Sequence, residues 1–159
     1  MYFVEKFIIV SVWIISFISI WFIPKEYYHQ ASFIFLFTQL PSWIFGLLVV
    51  EAGLIEYPVR ELYRANVTSF TFEYLVLPIM CIFFNMYFPQ NKGSYNKIIY
   101  YLTILSPFTL IEYFTEKHTL ILKYIHWQWY TTFITMGILI YFVRSVYKWF
   151  FNLGKPFSL

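Results

Sequence analysis

Five long apolar runs dominate the sequence and restrict what the chain can fold into. A helix needs about 20 mostly apolar residues to cross roughly 30 Å of hydrocarbon. Runs that end at charges, prolines or aromatic residues meet this requirement at residues 7–23, 31–50, 70–88, 98–115 and 125–143. The sequence therefore predicts five transmembrane helices.

The composition points to a lipid bilayer as the surrounding medium. Of the 159 residues, 60% are hydrophobic, 26% are aromatic and only 12% are charged, which is far from the composition of an ordinary soluble domain. The five runs and their short connections account for the length. We predict an all-α fold, a bundle forming one polytopic membrane domain over residues 1–159. Because the first run lacks a small-residue cleavage site, we interpret it as a retained span.

The segment between the second and third runs is charged, and it predicts local structure of its own. Pro58 suits the first position of a helix, and the residues after it predict a short interfacial helix over residues 58–65. Thr68 or Ser69 can then cap the third span. If Ser69 is the cap, Glu73 lies about 6 Å below the start of that helix.

The number of crossings decides which charges share a membrane face. With five crossings, seven of the eight glutamates fall on one face and only Glu26 falls on the other. Lys and Arg near the span ends divide almost evenly between the faces, so they barely decide the orientation. The basic aromatic segment "RSVYKWFFNLGK" favours an anionic inner leaflet. We therefore expect a cytoplasmic C-terminus.

Three ionisable side chains are candidates for chemistry because they lie within or at the start of predicted spans. Glu73 begins the third span, Glu112 lies in the last turn of the fourth, and His126 opens the fifth. A charge placed inside a membrane costs about 2.5–3.5 kcal/mol, so each needs a partner or a function. Glu73, Glu112 and His126 are therefore our candidates for proton transfer.

A second group of residues is predicted to bind a ligand. The planar guanidinium of Arg60 can hold a carboxylate or a phosphate through two hydrogen bonds. Glu56 precedes it by four residues, and Glu51 ends the second span. An alternative stays open, in which these charges form buried ion pairs that fix how the helices pack.

Prolines and amide side chains inside the apolar runs predict contacts between helices. Pro41, Pro78 and Pro107 fall inside spans, where each leaves a backbone carbonyl without its usual N–H donor. In a bilayer that carbonyl must find another partner, which favours burial against a neighbouring helix. Gln39 and Asn85 are predicted to form interhelical hydrogen bonds.

Other classes of site have little support in the sequence. Cys81 is the single cysteine, and the Glu-x-x-His spacing of di-iron sites occurs once, at Glu26 and His29. No phosphate-binding glycine loop or hydrolase motif is present. A net charge of +3 is too small to indicate nucleic acid. We predict no metal, no cofactor and no nucleic-acid partner.

Four stretches, "EAGLIEYPVR", "TSFTFEYLVLP", "FFNMYFP" and "YIHWQWYTTF", resemble a family of small multi-pass membrane proteins of endospore-forming Gram-positive bacteria. The resemblance runs from about the second span to the C-terminal basic segment. It implies a bacterial plasma membrane and draws attention to Glu51, Glu56, Arg60, Glu73 and His126. It implies no particular activity.

Three classes of function remain open at this point. The first is a structural or accessory membrane protein with a Glu, Arg and His cluster at one face, whose partners are lipids or another membrane protein. The second is a membrane enzyme or binding protein that acts on an anionic lipid or isoprenoid head group. A small transporter is less favoured, because the acids gather at one boundary and few polar groups line a route beyond it.

Overall fold

The chain is mostly helical over residues 2–62 and 64–152, which the computed structural model describes. The helices are α1 (Phe3–Ile20), α2 (Tyr28–Glu51), α3 (Leu77–Met86), α4 (Ser94–His118) and α5 (Trp129–Phe150). A 3₁₀ turn, Lys25–Tyr27, leads into α2, and a π-helical turn, Phe72–Val76, leads into α3. Two short strands, β1 (Ile55–Glu56) and β2 (Lys123–Tyr124), pair antiparallel.

Four of the described helices are long and apolar enough to cross a membrane. They are Phe3–Ile20, Lys25–Glu51, Ser94–His118 and Trp129–Phe150, with 18, 27, 25 and 22 residues. The third predicted span, residues 70–88, is shorter than expected. Its π-helical turn has five residues and α3 has ten, which together rise only about 22 Å. The predicted count of five spans is therefore not supported.

Helix α3 is short but lies at the centre of the bundle. Eight of its ten residues are buried, and Phe84 and Cys81 are completely enclosed. The main hydrophobic core joins α3 to side chains of α2, α4 and α5, among them Ile34, Leu105 and Ile140. Other helices therefore cover most of α3, and its length need not match a bilayer.

Helix α1 lies at the edge of the bundle. Ser16 is its only buried residue among those described. Trp13 attaches the helix to the start of the third segment, where its ring stacks on Phe70 with centroids 6.2 Å apart. The same indole donates a 2.6 Å hydrogen bond from Nε1 to Oγ1 of Thr71. Several other apolar side chains of α1, including Phe7 and Ile15, are largely exposed.

Arg144 lies inside the bundle, and this corrects its predicted place in a basic surface anchor. Its side chain is 6% exposed, and Nη1 donates a 3.1 Å hydrogen bond to Oδ1 of Asn85. The guanidinium carbon also lies 3.3 Å from the centre of the Phe88 ring, a cation–π contact. The predicted interhelical role of Asn85 is confirmed. Residues 153–155 of the predicted anchor lie outside the described residues.

The predicted interfacial helix over residues 58–65 is wrong. Its described residues form bends and turns, and Tyr63 lies outside the described residues. The guanidinium of Arg60 donates hydrogen bonds to two backbone carbonyls, to Tyr57 O at 2.6 Å and to Asn66 O at 2.7 Å. Val59 N–H donates to Leu120 O, on the connection after α4. These contacts fold the segment into a loop, and an isolated helix of two turns is marginal in any case.

Candidate functional site

The carboxyl group of Glu73 is held at the point where α2 passes the π-helical turn. Glu73 is 3% exposed, and Oε2 accepts a 2.6 Å hydrogen bond from the hydroxyl of Thr68. Oε1 lies against Gly46, where any Cβ would overlap it. Glycine at position 46 therefore creates the space that this carboxyl group occupies. Thr68 is therefore a partner of the glutamate, and of the two predicted caps it is Ser69 whose hydroxyl oxygen accepts a helix N–H, that of Phe72, at 3.3 Å.

One face of α2 supplies hydrogen-bond donors to the turn that carries Glu73. Pro78 has no N–H for the carbonyl of Tyr74, four residues earlier, and Gln39 Nε2 donates to that carbonyl at 3.1 Å. The hydroxyl of Ser42 donates to the carbonyl of Glu73 at 2.9 Å. The prediction that a proline-freed carbonyl would find a partner on a neighbouring helix is confirmed at Pro78. Single π-turns of this kind are frequent at functional sites.

Glu112 is held by donors from the chain around β2 and α5. Its Oε1 accepts hydrogen bonds from the hydroxyls of Tyr124 at 2.7 Å and Thr132 at 2.6 Å. Trp127 donates from Nε1 to the same Thr132 oxygen at 2.7 Å. Thr132 is therefore the link between the indole and the carboxylate.

Glu73 and Glu112 line one small cavity, which we call the inner cavity. Its volume is about 70 Å³, and it lies where α2, the π-helical turn, α4 and α5 meet. Its polar lining includes Ser42, Tyr57, Glu73, Glu112 and Thr132. Burial, followed by the nearby carboxylates of Glu112 and Glu73, raises the pKa of Tyr57. Tyr57 therefore stays protonated at neutral pH and can donate a hydrogen bond to a carboxylate or a ligand.

A larger opening, which we call the lateral groove, lies on the other side of the π-helical turn. Its volume is about 530 Å³, and α1 and α4 form its sides, with Ile79 and Phe83 of α3 between them. The apolar lining comes from residues such as Ile8, Val12, Ile15, Ile104 and Phe108. Apart from Ser16 and Ser19 of α1, its polar lining residues are Tyr57, Glu61, Ser69, Thr71, Glu112 and Thr115. The groove thus combines a long apolar surface with carboxyl and hydroxyl groups.

Glu61 connects the lateral groove to α1 through hydrogen bonds. The hydroxyl of Thr71 donates to Oε1 of Glu61 and accepts the indole N–H of Trp13. Oε2 of Glu61 is buried and accepts no hydrogen bond from the residues that the structure describes. A buried acceptor without a donor costs free energy, so this oxygen is a place where a ligand could add a favourable contact.

The structure separates the predicted site residues into two groups. Glu73 and Glu112 meet at the inner cavity. Glu51 is exposed at the end of α2, and Glu56 pairs with Lys123 across the two strands at 3.8 Å, with both side chains well exposed. Neither glutamate lines the inner cavity or the lateral groove.

Arg60 and His126 also lie apart from the two cavities. Arg60 bonds to the carbonyls of its own loop and lines neither cavity. His126 is exposed, because α5 begins at Trp129 instead of residue 125. Its backbone N–H donates to the carbonyl of Leu54. The next residue, Trp127, is buried instead, with an exposed fraction of 7%.

Sequence reasoning missed several residues of the site. The sequence predicts no part in the site for Tyr57, Glu61, Tyr124 or Thr132. Ser42 and Gly46 also have no predicted part in the site, although a signal for them exists. Their spacing with Gln39 places all three residues on one face of α2. For the other residues the signal is absent, because their contacts join distant parts of the chain.

Thr132→Val is expected to lower the free energy of unfolding by about 2 kcal/mol, because valine keeps the shape while removing a partner of both Trp127 and Glu112. Reversible unfolding in mixed detergent micelles would measure the change. Thr135→Val is the matched control, since the Thr135 hydroxyl donates to carbonyls of its own helix, those of Thr131 and Thr132. Equal losses in the two variants would contradict the linking role of Thr132.

Comparison with known proteins identifies no relative of this chain. No protein-family model, curated protein or solved structure matches the chain. Among the residues described, no group of three His, Cys, Asp or Glu side chains could hold a metal ion. The resemblance to a family from endospore-forming bacteria stays a prediction.

Proposed function

We propose that this protein is an accessory membrane protein that binds a single lipid chain in its lateral groove. The observation that carries the proposal is the combination of an apolar groove of about 530 Å³ with carboxyl and hydroxyl groups along part of its wall. Sites for small molecules typically occupy about 300–1,000 Å³ and combine apolar walls with a few polar groups. A membrane lipid has the same division into an apolar chain and a polar head.

The position of the groove also supports a ligand that arrives from the bilayer. Helices α1 and α4 form its sides, and both are apolar enough to cross a membrane. Exposed apolar residues of α1 that lie outside the groove, such as Phe7 and Ile14, suit contact with lipid tails. A lipid can therefore enter sideways without leaving the hydrocarbon region.

A structural role for Glu73 and Glu112 forms part of the same proposal. Both carboxyl groups already accept hydrogen bonds from side chains of the bundle. These bonds connect Glu73 to the loop before α3 and Glu112 to α5, so they stabilise the packing around the inner cavity. We therefore favour an accessory protein over an enzyme in which these residues move protons.

A transport function is less favoured, because the end of the bundle opposite Glu112 is closely packed. There Arg144, Asn85 and Phe88 pack against one another. The inner cavity and the lateral groove both involve the end of the bundle that carries Glu112. A bacterial plasma membrane with a cytoplasmic C-terminus remains our proposal for location, and the exposed Lys148 near the end of α5 suits an anionic inner leaflet.

Filling the groove tests the proposed function. Ile15→Trp is expected to reduce labelling of the protein by a phospholipid with a photoactivatable chain by about tenfold, because the indole occupies space in the groove. The measurement is mass spectrometry of labelled peptides after reconstitution in vesicles. Ile14→Trp is the matched control, since Ile14 and Ile15 are 54% and 65% exposed and only Ile15 lines the groove. Labelling that is absent from α1, α3 and α4 of the unmodified protein would overturn the proposal.

A further inference from the structure

The lining of the lateral groove includes acidic side chains and, among the described residues, no basic side chain. Glu61 and Glu112 are its ionisable acids, and none of the described residues that line it is Lys, Arg or His. Arg60, the residue predicted to bind an anionic head group, bonds to carbonyls of its own loop instead. A phosphate placed alone beside these carboxylates would be repelled, so charge complementarity selects a cationic group.

Glu61 is the side chain best placed to receive that cation. One of its oxygens is already occupied by the hydroxyl of Thr71. The other, Oε2, is buried without a donor among the described residues. Because Oε2 has almost no accessible surface, the carboxyl group of Glu61 must rotate to meet an ammonium group in the groove. The ammonium would then supply both the missing hydrogen bond and the opposite charge, and charge-assisted bonds of this kind are the strong ones.

We propose that the lateral groove selects a membrane lipid whose head group carries a primary ammonium, and that Glu61 recognises it. This inference rests on the proposed function, since it names the class of lipid for the same groove. Glu61 accepts an N–H of the ammonium through Oε2, while the Thr71 hydroxyl, which accepts the indole N–H of Trp13, donates to the other carboxylate oxygen. Tyr57 lines the same groove with a hydroxyl that can donate to the rest of the head group.

The test uses the full-length protein in nanodiscs with three phospholipids that share one photoactivatable chain and carry ethanolamine, choline or glycerol head groups. We expect the ethanolamine lipid to label the groove about ten times more than the other two, the ratio that a hydrogen bond to a charged group supplies. Choline keeps the positive charge but has no N–H, so this comparison tests the hydrogen bond without any substitution. The glycerol lipid is anionic and tests the opposite charge preference.

Substitution then assigns the preference to one residue. Glu61→Gln is expected to abolish the ethanolamine preference while labelling by the chain persists. Glu51→Gln is the control, because Glu51 lies at the end of α2 and outside the groove. Equal labelling by the three lipids, a preference for glycerol, or a preference that survives Glu61→Gln would overturn the inference and leave lipid binding intact. Absence of groove labelling by all three would overturn the proposed function itself.

Discussion

Gly46→Ala is expected to lower the free energy of unfolding by about 3 kcal/mol. A Cβ at this position would overlap Oε1 of Glu73, so the carboxyl group must move. Moving it strains a packed site and weakens the hydrogen bond from Thr68, two effects that together outweigh the usual gain from alanine in a helix. Reversible unfolding in mixed detergent micelles would give the change.

Two further variants make this prediction specific. Gly137→Ala in α5 is the control, because its added methyl meets only the end of the Leu105 side chain, at 3.4 Å. In a chain that already carries Glu73→Ala, Gly46→Ala should cost little, since the atoms it displaces are gone. A loss that is unchanged in the Glu73→Ala background would show that the contact between Gly46 and Glu73 is not the cause.

Phe84→Ala is expected to lower the free energy of unfolding by about 4 kcal/mol, the largest effect that we predict. Phe84 is 0% exposed, and its ring packs against Phe88, Tyr100 and Tyr101 with centroids 4.7–5.5 Å apart. Truncation leaves a cavity at the centre of the bundle, where neighbouring side chains can relax only in part. The lost dispersion contacts cost free energy even when the surrounding medium is lipid.

Phe7→Ala is the matched control for this second prediction. Phe7 is 65% exposed on α1, so detergent or lipid chains can fill the space that its ring leaves. The expected loss is below about 1 kcal/mol. The same unfolding assay applies to both variants. A similar loss in both would mean that α3 does not form the core around which the other helices pack.

The sequence predicts the helical character of the fold because long apolar runs can satisfy their backbone groups in few other ways. Four of the five runs match helices that are long enough to cross a membrane. The run at residues 70–88 shows the limit of this reasoning. Apolar composition cannot distinguish a span that faces lipid from a shorter helix that other helices surround, and α3 is of the second kind.

Among the site residues, Glu73 and Glu112 could be selected by their depth in apolar segments, and both reach the inner cavity. Arg60 could not be placed in this way, since it donates to backbone carbonyls of a loop that the sequence predicts as a helix. His126 shows the effect of a small boundary shift. Because α5 begins a few residues later than predicted, the adjacent Trp127 is buried in its place.

The contribution of Tyr57 and Glu61 depends on tertiary contacts that have no sequence pattern. Both belong to the loop that follows β1, and they reach the groove because that loop lies against the connection after α4, where Val59 bonds to Leu120. A loop of this kind has no periodicity from which to infer which side chains point inward. Predicting these two residues requires the path of the backbone itself.

The inner cavity and the lateral groove share part of their lining. Tyr57, Phe72 and Glu112 contribute to both. A ligand that shifts one of these side chains in the groove also changes the space and the hydrogen bonds available in the inner cavity. Thermodynamic linkage makes such an effect reciprocal, so occupancy of the inner cavity by water or an ion would change the affinity of the groove by the same factor. Two separate compartments would then respond as one binding unit.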